Sequence, residues 1–183
     1  MNAEEQFTSL YQAHHGAILR YAARRTDPDT ARDVVAETFL VAWRRLAAVP
    51  AEPGQAEPWL YAVARRVLAN AERSRRRSQR VAERVWHESH DEQAPDPASA
   101  VSERARIAQA LSQLNEADRE ALRLIGWEEL DIAGAALVMG CSRSAMGVRL
   151  YRARRKLDRA LAAVDAADQP LPALQQHVVG QES

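Results

Sequence analysis

Apolar residues recur along most of this chain at the three- and four-residue spacing of helices, and no stretch alternates with a convincing period of two. Phe7, Leu10, Tyr11, His14, Ile18 and Tyr21 share one helical face and predict a first helix over about 3–25. Asp27-Pro28 then supplies an N-cap followed by Pro at the first helical position, where an N–H would lack a partner in any case. The next helix carries Val35, Phe39, Ala42, Trp43 and Leu46 on one side, which places Trp43 in the core. Pro50, Pro53 and Gly54 mark the segment 47–57 as a loop. Pro58 restarts a helix whose inner face is Leu60, Val63, Ala64, Val67, Leu68 and Ala71. Beyond Ala71 the stripe thins, so this helix is expected to project or fray.

The pattern then lapses. Residues 87–100 hold His87, His90, Asp91, Glu92, Pro95 and Pro97 with little apolar content, the composition of a linker. Asp96-Pro97 resembles a second cap and predicts a helix through Leu111. Asn115 caps the next helix, with Asp118 in a capping-box-like position. Asp131 opens a short helix over Ile132–Met139, Gly140 stops it, and Ser142 opens a long last one. The tail 165–183, with Pro170 and Pro172, reads as loosely structured. The expected fold is all-α: two small helical domains, 1–85 and 105–164, joined by a flexible acidic linker, 86–104.

Charge changes this picture. The chain has 25 basic and 25 acidic residues, so its net charge is zero, yet the charges are sorted. Residues 65–84 hold eight Arg and two Glu, and residues 142–159 hold six Arg, one Lys and one Asp. Between them, 87–103 holds five acids and no Lys or Arg. Two separate anion-binding faces follow from this sorting. In the last helix Met146, Leu150, Ala153, Leu157 and Leu161 fall within about 80° of one another at about 100° per residue. Ser144, Val148, Tyr151, Arg152 and Arg155 lie opposite, with Arg149 and Lys156 at the edge. A tight turn between two helices, the second apolar behind and basic in front, is the sequence form of a helix-turn-helix that enters duplex DNA. Gly147 would permit close approach to the bases.

Other chemistry has less to stand on. Asp33 and Glu37 share a helix face at i, i+4, and an exposed acidic surface for a basic protein partner suits them better than catalysis. Trp43, Trp59 and Tyr61 flank the Pro-rich loop beside the first Arg run, and aromatics next to arginines suit single-stranded DNA. Cys141 is the one cysteine, which excludes an intramolecular disulfide. His87 and His90 make a weak zinc signal without further ligands. No phosphate-cradling Gly loop and no nucleophilic triad is visible. No run of about 18 apolar residues and no export pattern occurs, so a cytoplasmic protein is expected, with no membrane partner.

Taken together, the two halves resemble the extracytoplasmic-function (ECF) subfamily of bacterial RNA polymerase sigma factors. Asp33-Val-Val-Ala-Glu-Thr-Phe-Leu-Val-Ala-Trp43 and Pro58-Trp-Leu-Tyr-Ala-Val-Ala-Arg-Arg66 resemble sigma region two. Leu114-Asn-Glu-Ala-Asp-Arg-Glu-Ala-Leu122 and Cys141-Ser-Arg-Ser-Ala-Met-Gly-Val-Arg-Leu-Tyr-Arg-Ala-Arg154 resemble region four. The resemblance implies that Asp33, Val34, Glu37 and Thr38 dock on the clamp helices of the polymerase largest subunit. It implies that the loop 47–57 captures a flipped base of the minus-ten element. Trp59, Tyr61, Arg65, Arg66, Asn70 and Arg73 would grip the melted strand. Ser142, Arg143, Ser144, Gly147, Val148, Arg149 and Arg152 would read the minus-thirty-five duplex while their domain packs on the polymerase flap. The partners so implied are core RNA polymerase, promoter DNA and, as in many members, an anti-sigma factor. No cofactor, metal, small-molecule ligand or catalysis is implied. The chain has Asn115 where members commonly have Pro, Arg66 where they have Asn, and Gly147-Val148 in place of a Lys-Ser pair.

Two other classes fit parts of the sequence. A stand-alone helix-turn-helix regulator would bind duplex DNA tightly without polymerase. A nucleic-acid enzyme using Asp33 and Glu37 would need a metal for turnover.

Overall fold

The computed structural model describes residues 2–85 and 103–167. Among them there are seven α-helices, one short 3-10 turn at Leu46–Ala48, and no strand. Helix α1 spans Ala3–Ala23, α2 Pro28–Arg44 and α3 Ala56–Val85. After the undescribed segment come α4 (Glu103–Ser112), α5 (Glu116–Gly126), α6 (Ile132–Met139) and α7 (Arg143–Ala167).

Local chemistry accounts for most of these boundaries. Asn2 and Glu5 form a reciprocal capping box at the start of α1. Asp27 accepts from the backbone N–H groups of Asp29 and Thr30 at 3.1 and 3.0 Å. It also accepts from the Thr30 hydroxyl, and those Thr30 bonds hold its carboxyl down at about 2. Asn115 caps α5 by accepting from the Asp118 N–H, and Asp131 caps α6 by accepting from Gly134. Two boundaries differ from expectation. Helix α3 starts at Ala56, two residues before Pro58, and it continues unbroken to Val85. Its Arg73, Ser74, Arg75 and Arg77 stand exposed, so it projects rather than frays. The long last helix likewise extends past the expected tail boundary: Asp165 lies within α7 and pairs with Arg106 of α4. Helix α4 takes the last two residues of the expected linker, 103–104; the rest of that linker, with His87, His90 and the expected Asp96-Pro97 cap, and the tail beyond 167 lie outside the described residues.

The helices form the two expected groups, α1–α3 and α4–α7, but the main core belongs to both. Ile18, Tyr21, Val34, Phe39, Leu60 and Ala64 from the first group pack in one cluster with Ala121, Leu124, Ala135, Val138 and Met146 from the second. Burying one such Leu, Ile or Met contributes roughly 1.5–3 kcal/mol, so this shared cluster joins the groups rather than merely bringing them together. Helix α6 lies close on the start of α3, where a Cβ on Gly134 would meet Pro58 Cγ at 3.2 Å. A smaller cluster of Ala110, Leu114, Ala160 and Val164 belongs to α4–α7 alone. Trp43 departs from its predicted core position. It is 43% exposed, with its ring edge-on to Phe7 at 5.1 Å, because it sits at the rim where α1 stops covering α2.

Candidate nucleic-acid interface

The turn before α7 is built as its sequence predicts. Gly140 adopts left-handed φ of 64°, and the N–H of Cys141 donates back to Ala136 O at 3.0 Å. This closes α6 with a Schellman-type turn that a side chain at Gly140 would strain. Ser142 Oγ then accepts from the N–H of Ala145 at 3.1 Å, opening α7. The helix presents two faces. Met146, Leu150 and Ala153 are buried, and Leu157 and Leu161 pack on the smaller cluster. Ser142, Arg143, Ser144, Val148, Tyr151, Arg152 and Arg155 are exposed, with Tyr151 at 62%. Gly147 and Arg149 sit at the edge, half-buried, and the Arg149 Nε is enclosed. Lys156 is tied back to the buried Asp118 carboxylate, so it anchors α7 on α5 rather than joining the basic front.

Helix α3 offers the second basic face. Arg66, Asn70 and Arg73 are exposed, and Arg73 donates to Asn70 Oδ1 and, at 3.2 Å, to Ala69 O. Arg65 is half-buried. Trp59, Arg66 and Asn70 line a groove of about 780 Å³ together with Glu37, Val41 and Arg45 of the α2 end and Leu137 of α6. Tyr61 does not join them. It is buried, its ring lies 4.9 Å from that of Tyr21, and its hydroxyl donates to Glu57 at 2.8 Å. Burial and Glu57 push its phenol well above the usual tyrosine range. Stacking a base on this ring would require dismantling the core, so Tyr61 is a structural residue rather than a strand contact.

Helix α2 divides the acidic motif in the same way. Asp33 and Glu37 are exposed on one stripe with Leu40. Val34 and Thr38 face inward and are fully buried, and the Thr38 hydroxyl donates to Val34 O at 2.6 Å. Their expected contact with a partner is therefore corrected to packing that orients the acidic stripe.

One polar constellation was not expected from the sequence. Glu120 of α5 accepts from the Tyr21 hydroxyl and from Arg25 Nε, each at 2.9 Å. Glu128 accepts from Arg25 at 3.0 Å and pairs with Arg24, and Trp127 lies beneath the Arg24 and Arg123 guanidiniums. Burial alone would disfavour the Arg25 cation, but Glu120, Tyr21 and Glu128 outweigh it and raise its pKa. The available signal was an anomaly: Glu120 stands beside Ala121 and one turn before Leu124 on α5, where apolar residues belong, while Glu128 follows the end of that helix.

Helices α7 and α3 each present a basic face, a recessed aromatic lies beside the second, and Glu37 of the acidic stripe borders that same groove. The family description "Sigma-70 region 2" matches residues 10–78, and "Sigma-70, region 4" matches residues 104–157. The ECF RNA polymerase sigma factor SigL of Mycobacterium tuberculosis is 31% identical over 150 residues, covering 81% of this chain and 85% of the relative. The chain belongs to the ECF RNA polymerase sigma factors. Among solved structures, it is similar to the sigma factor RpoE of Bartonella quintana in complex with the anti-sigma factor NepR. That likeness has a TM-score of 0.64 at 25% identity and covers 85% of this chain and 96% of that one. It is also similar to CnrH in complex with the cytosolic domain of CnrY, with a TM-score of 0.56 at 28% identity over 89% of each chain. As a sigma factor the chain recognises promoters with core RNA polymerase. Among the described residues no helix is long and apolar enough to cross a membrane, and no group of three or more His, Cys, Asp or Glu could hold a metal ion.

Proposed function

We propose that residues 1–85 dock on core polymerase through Asp33 and Glu37 and hold the melted minus-ten strand along Trp59, Arg65, Arg66, Asn70 and Arg73. Residues 105–164 read the minus-thirty-five duplex through the outer face of α7. The observation that carries this reading is the pairing of two distinct surfaces. One is a continuous exposed face on a capped helix, suited to a major groove. The other is a recessed groove with an indole and arginines, suited to an unstacked strand. Ser142, Arg143, Ser144 and Gly147 approach the bases first, and Arg149 and Arg152 reach base edges or phosphates. Each contact set is weak alone, and joining them in one chain raises the second to an intramolecular event.

Polymerase supplies the catalysis, and this chain supplies placement and strand capture, acting in the cytoplasm. An anti-sigma factor is a further partner in this reading, supported by the likeness to sigma factors solved with NepR and with CnrY. Core polymerase pull-down tests the docking surface: Asp33→Ala with Glu37→Arg should abolish retention of the chain. Retention equal to the unaltered chain would remove α2 from the docking surface. A stand-alone regulator would instead bind promoter duplex tightly with no polymerase present.

A further inference from the structure

The outer face of α7 carries an apolar centre that a solvated basic helix does not need. Val148 is 51% exposed and Tyr151 62%, the most exposed large apolar side chains among the described residues. They stand three residues apart, so they are neighbours on one face of the helix. Arg152 and Arg155 follow them by one turn each, Arg143 precedes them, and α7 has no acidic residue before Asp158. An apolar pair framed only by cations fits a polyanion that also offers an apolar group. The polar groups one turn earlier are engaged with each other: the hydroxyls of Ser142 and Ser144 lie 3.1 Å apart, and Ser142 Oγ caps the helix.

Gly147 bears independently on what lies opposite. Glycine is a poor helix former, yet this one sits in the second turn of α7. A Cβ there would meet nothing within 4 Å, so no contact within the chain requires its absence. A body pressed against the helix from outside would require it. The short Val148 side chain, in turn, reaches a base edge only from a helix that lies that close. Duplex DNA offers one apolar group in its major groove, the C5-methyl of thymine. The other base-edge groups there are hydrogen-bond donors and acceptors, and covering those with Val or a Tyr ring leaves them unpaired at a cost.

We propose that Val148 and Tyr151 together read a thymine of the upstream promoter block through its methyl group, as the specificity-determining pair at that base pair. The proposal deepens the reading of α7 as the duplex-binding helix and rests on it. Arg149 and Arg152 are left to supply charge and hydrogen bonds at the flanking positions.

Deoxyuridine tests it, because that nucleotide pairs as thymidine does and lacks only the methyl. Duplexes are recovered from a random-sequence promoter library with core polymerase and the full chain. Each thymine of the upstream block, on either strand, is then replaced singly by deoxyuridine, and the affinity of the polymerase complex is measured. One position should lose about 4-fold, the worth of burying one methyl-sized group, and the rest should change little. Val148→Ser should bind the thymine and deoxyuridine forms of that duplex equally. It should still prefer the recovered duplexes to scrambled ones, because Arg149 and Arg152 remain. An upstream block without thymine, or indifference to deoxyuridine at every position, overturns the proposal. A thymine effect that persists in both Val148→Ser and Tyr151→Ala overturns it as well, as does loss of all sequence preference in Val148→Ser. Reduced retention of Val148→Ser on core polymerase would make the patch a protein contact and sink the methyl reading. Recovered templates with no upstream block would sink the duplex reading itself and the proposal with it, whereas a block that is required yet blind to the methyl sinks the proposal alone.

Discussion

Arginines serve opposite purposes at the end of α1 and on the outer face of α7. Arg24 and Arg25 are drawn inward, bonded to buried glutamates that lie 95 to 104 residues away in sequence. Arg143, Arg152 and Arg155 stand out in solvent on a helix whose other side is fully packed. The residue type is the same, and the apolar stripe decides the difference. On α7 the arginines avoid the stripe, so they are free to meet a polyanion. At the seam between the two helical groups, the buried acids Glu120 on α5 and Glu128 just past its end create the need for cations to meet them. Arginine content alone thus says little about nucleic-acid binding, whereas its placement relative to the core says a good deal.

The contrast is most easily broken by stability measurements. Arg25→Ala leaves Glu120 and Glu128 buried with fewer cations and should destabilise the fold by about 3–5 kcal/mol in chemical denaturation. Arg152→Ala should change stability by less than about 0.5 kcal/mol. If the two variants unfold alike, the seam is not the buried ionic contact described above. On the DNA side, Arg149→Ala should lower promoter discrimination by about 1–3 kcal/mol if its guanidinium meets a base edge. The measurement is polymerase-dependent binding to matched and altered minus-thirty-five sequences. An equal loss on both would assign Arg149 to phosphate.

How much of this was legible beforehand follows the same division. The turn at Gly140–Ser142, the caps at Asp27, Asn115 and Asp131, and the two faces of α7 depend on neighbours within a few residues, and the sequence displays them. Gly140→Ala tests that local logic: it forces a side chain into left-handed φ and should cost about 1–2 kcal/mol of stability. The seam depends on residues that meet only after both halves have folded, and no local pattern names Arg25 as the partner of Glu120. The same limit explains the misplaced site residues. Tyr61, Val34 and Thr38 lie within motifs whose neighbours do face outward. Only the packing of α1 and α2 against α3 reveals which members of each motif turn in. Trp43 erred the other way, since its stripe is apolar but runs past the cover that α1 provides.

Two smaller effects sharpen the inward-outward distinction. The Thr38 hydroxyl bonds only a carbonyl of its own helix, so Thr38→Val should shift stability by no more than about 1 kcal/mol and leave polymerase retention intact. Reduced retention would restore Thr38 to the docking surface. Asp27 lies on the solvent side, with a carboxyl held at about 2 by its bonds to Thr30. Because its folded value is lowered, its stabilising contribution is complete above the ordinary aspartate value of about 4 and fades as pH falls toward 2. Asp27→Asn keeps a capping oxygen and should flatten only that acid limb of a stability–pH curve. A change at neutral pH would assign Asp27 a role beyond the cap.

The central claim is that one chain reads a promoter through two faces at once, one on duplex and one on a melted strand. Transcription in vitro from a random-sequence promoter library, with purified core polymerase and this chain, tests it most directly. The account predicts chain-dependent transcripts whose templates share two sequence blocks at a constant separation, with the upstream block lost in Arg149→Ala and the downstream block weakened in Arg66→Ala. Templates enriched for a single block, or no transcript above core polymerase alone, would contradict it.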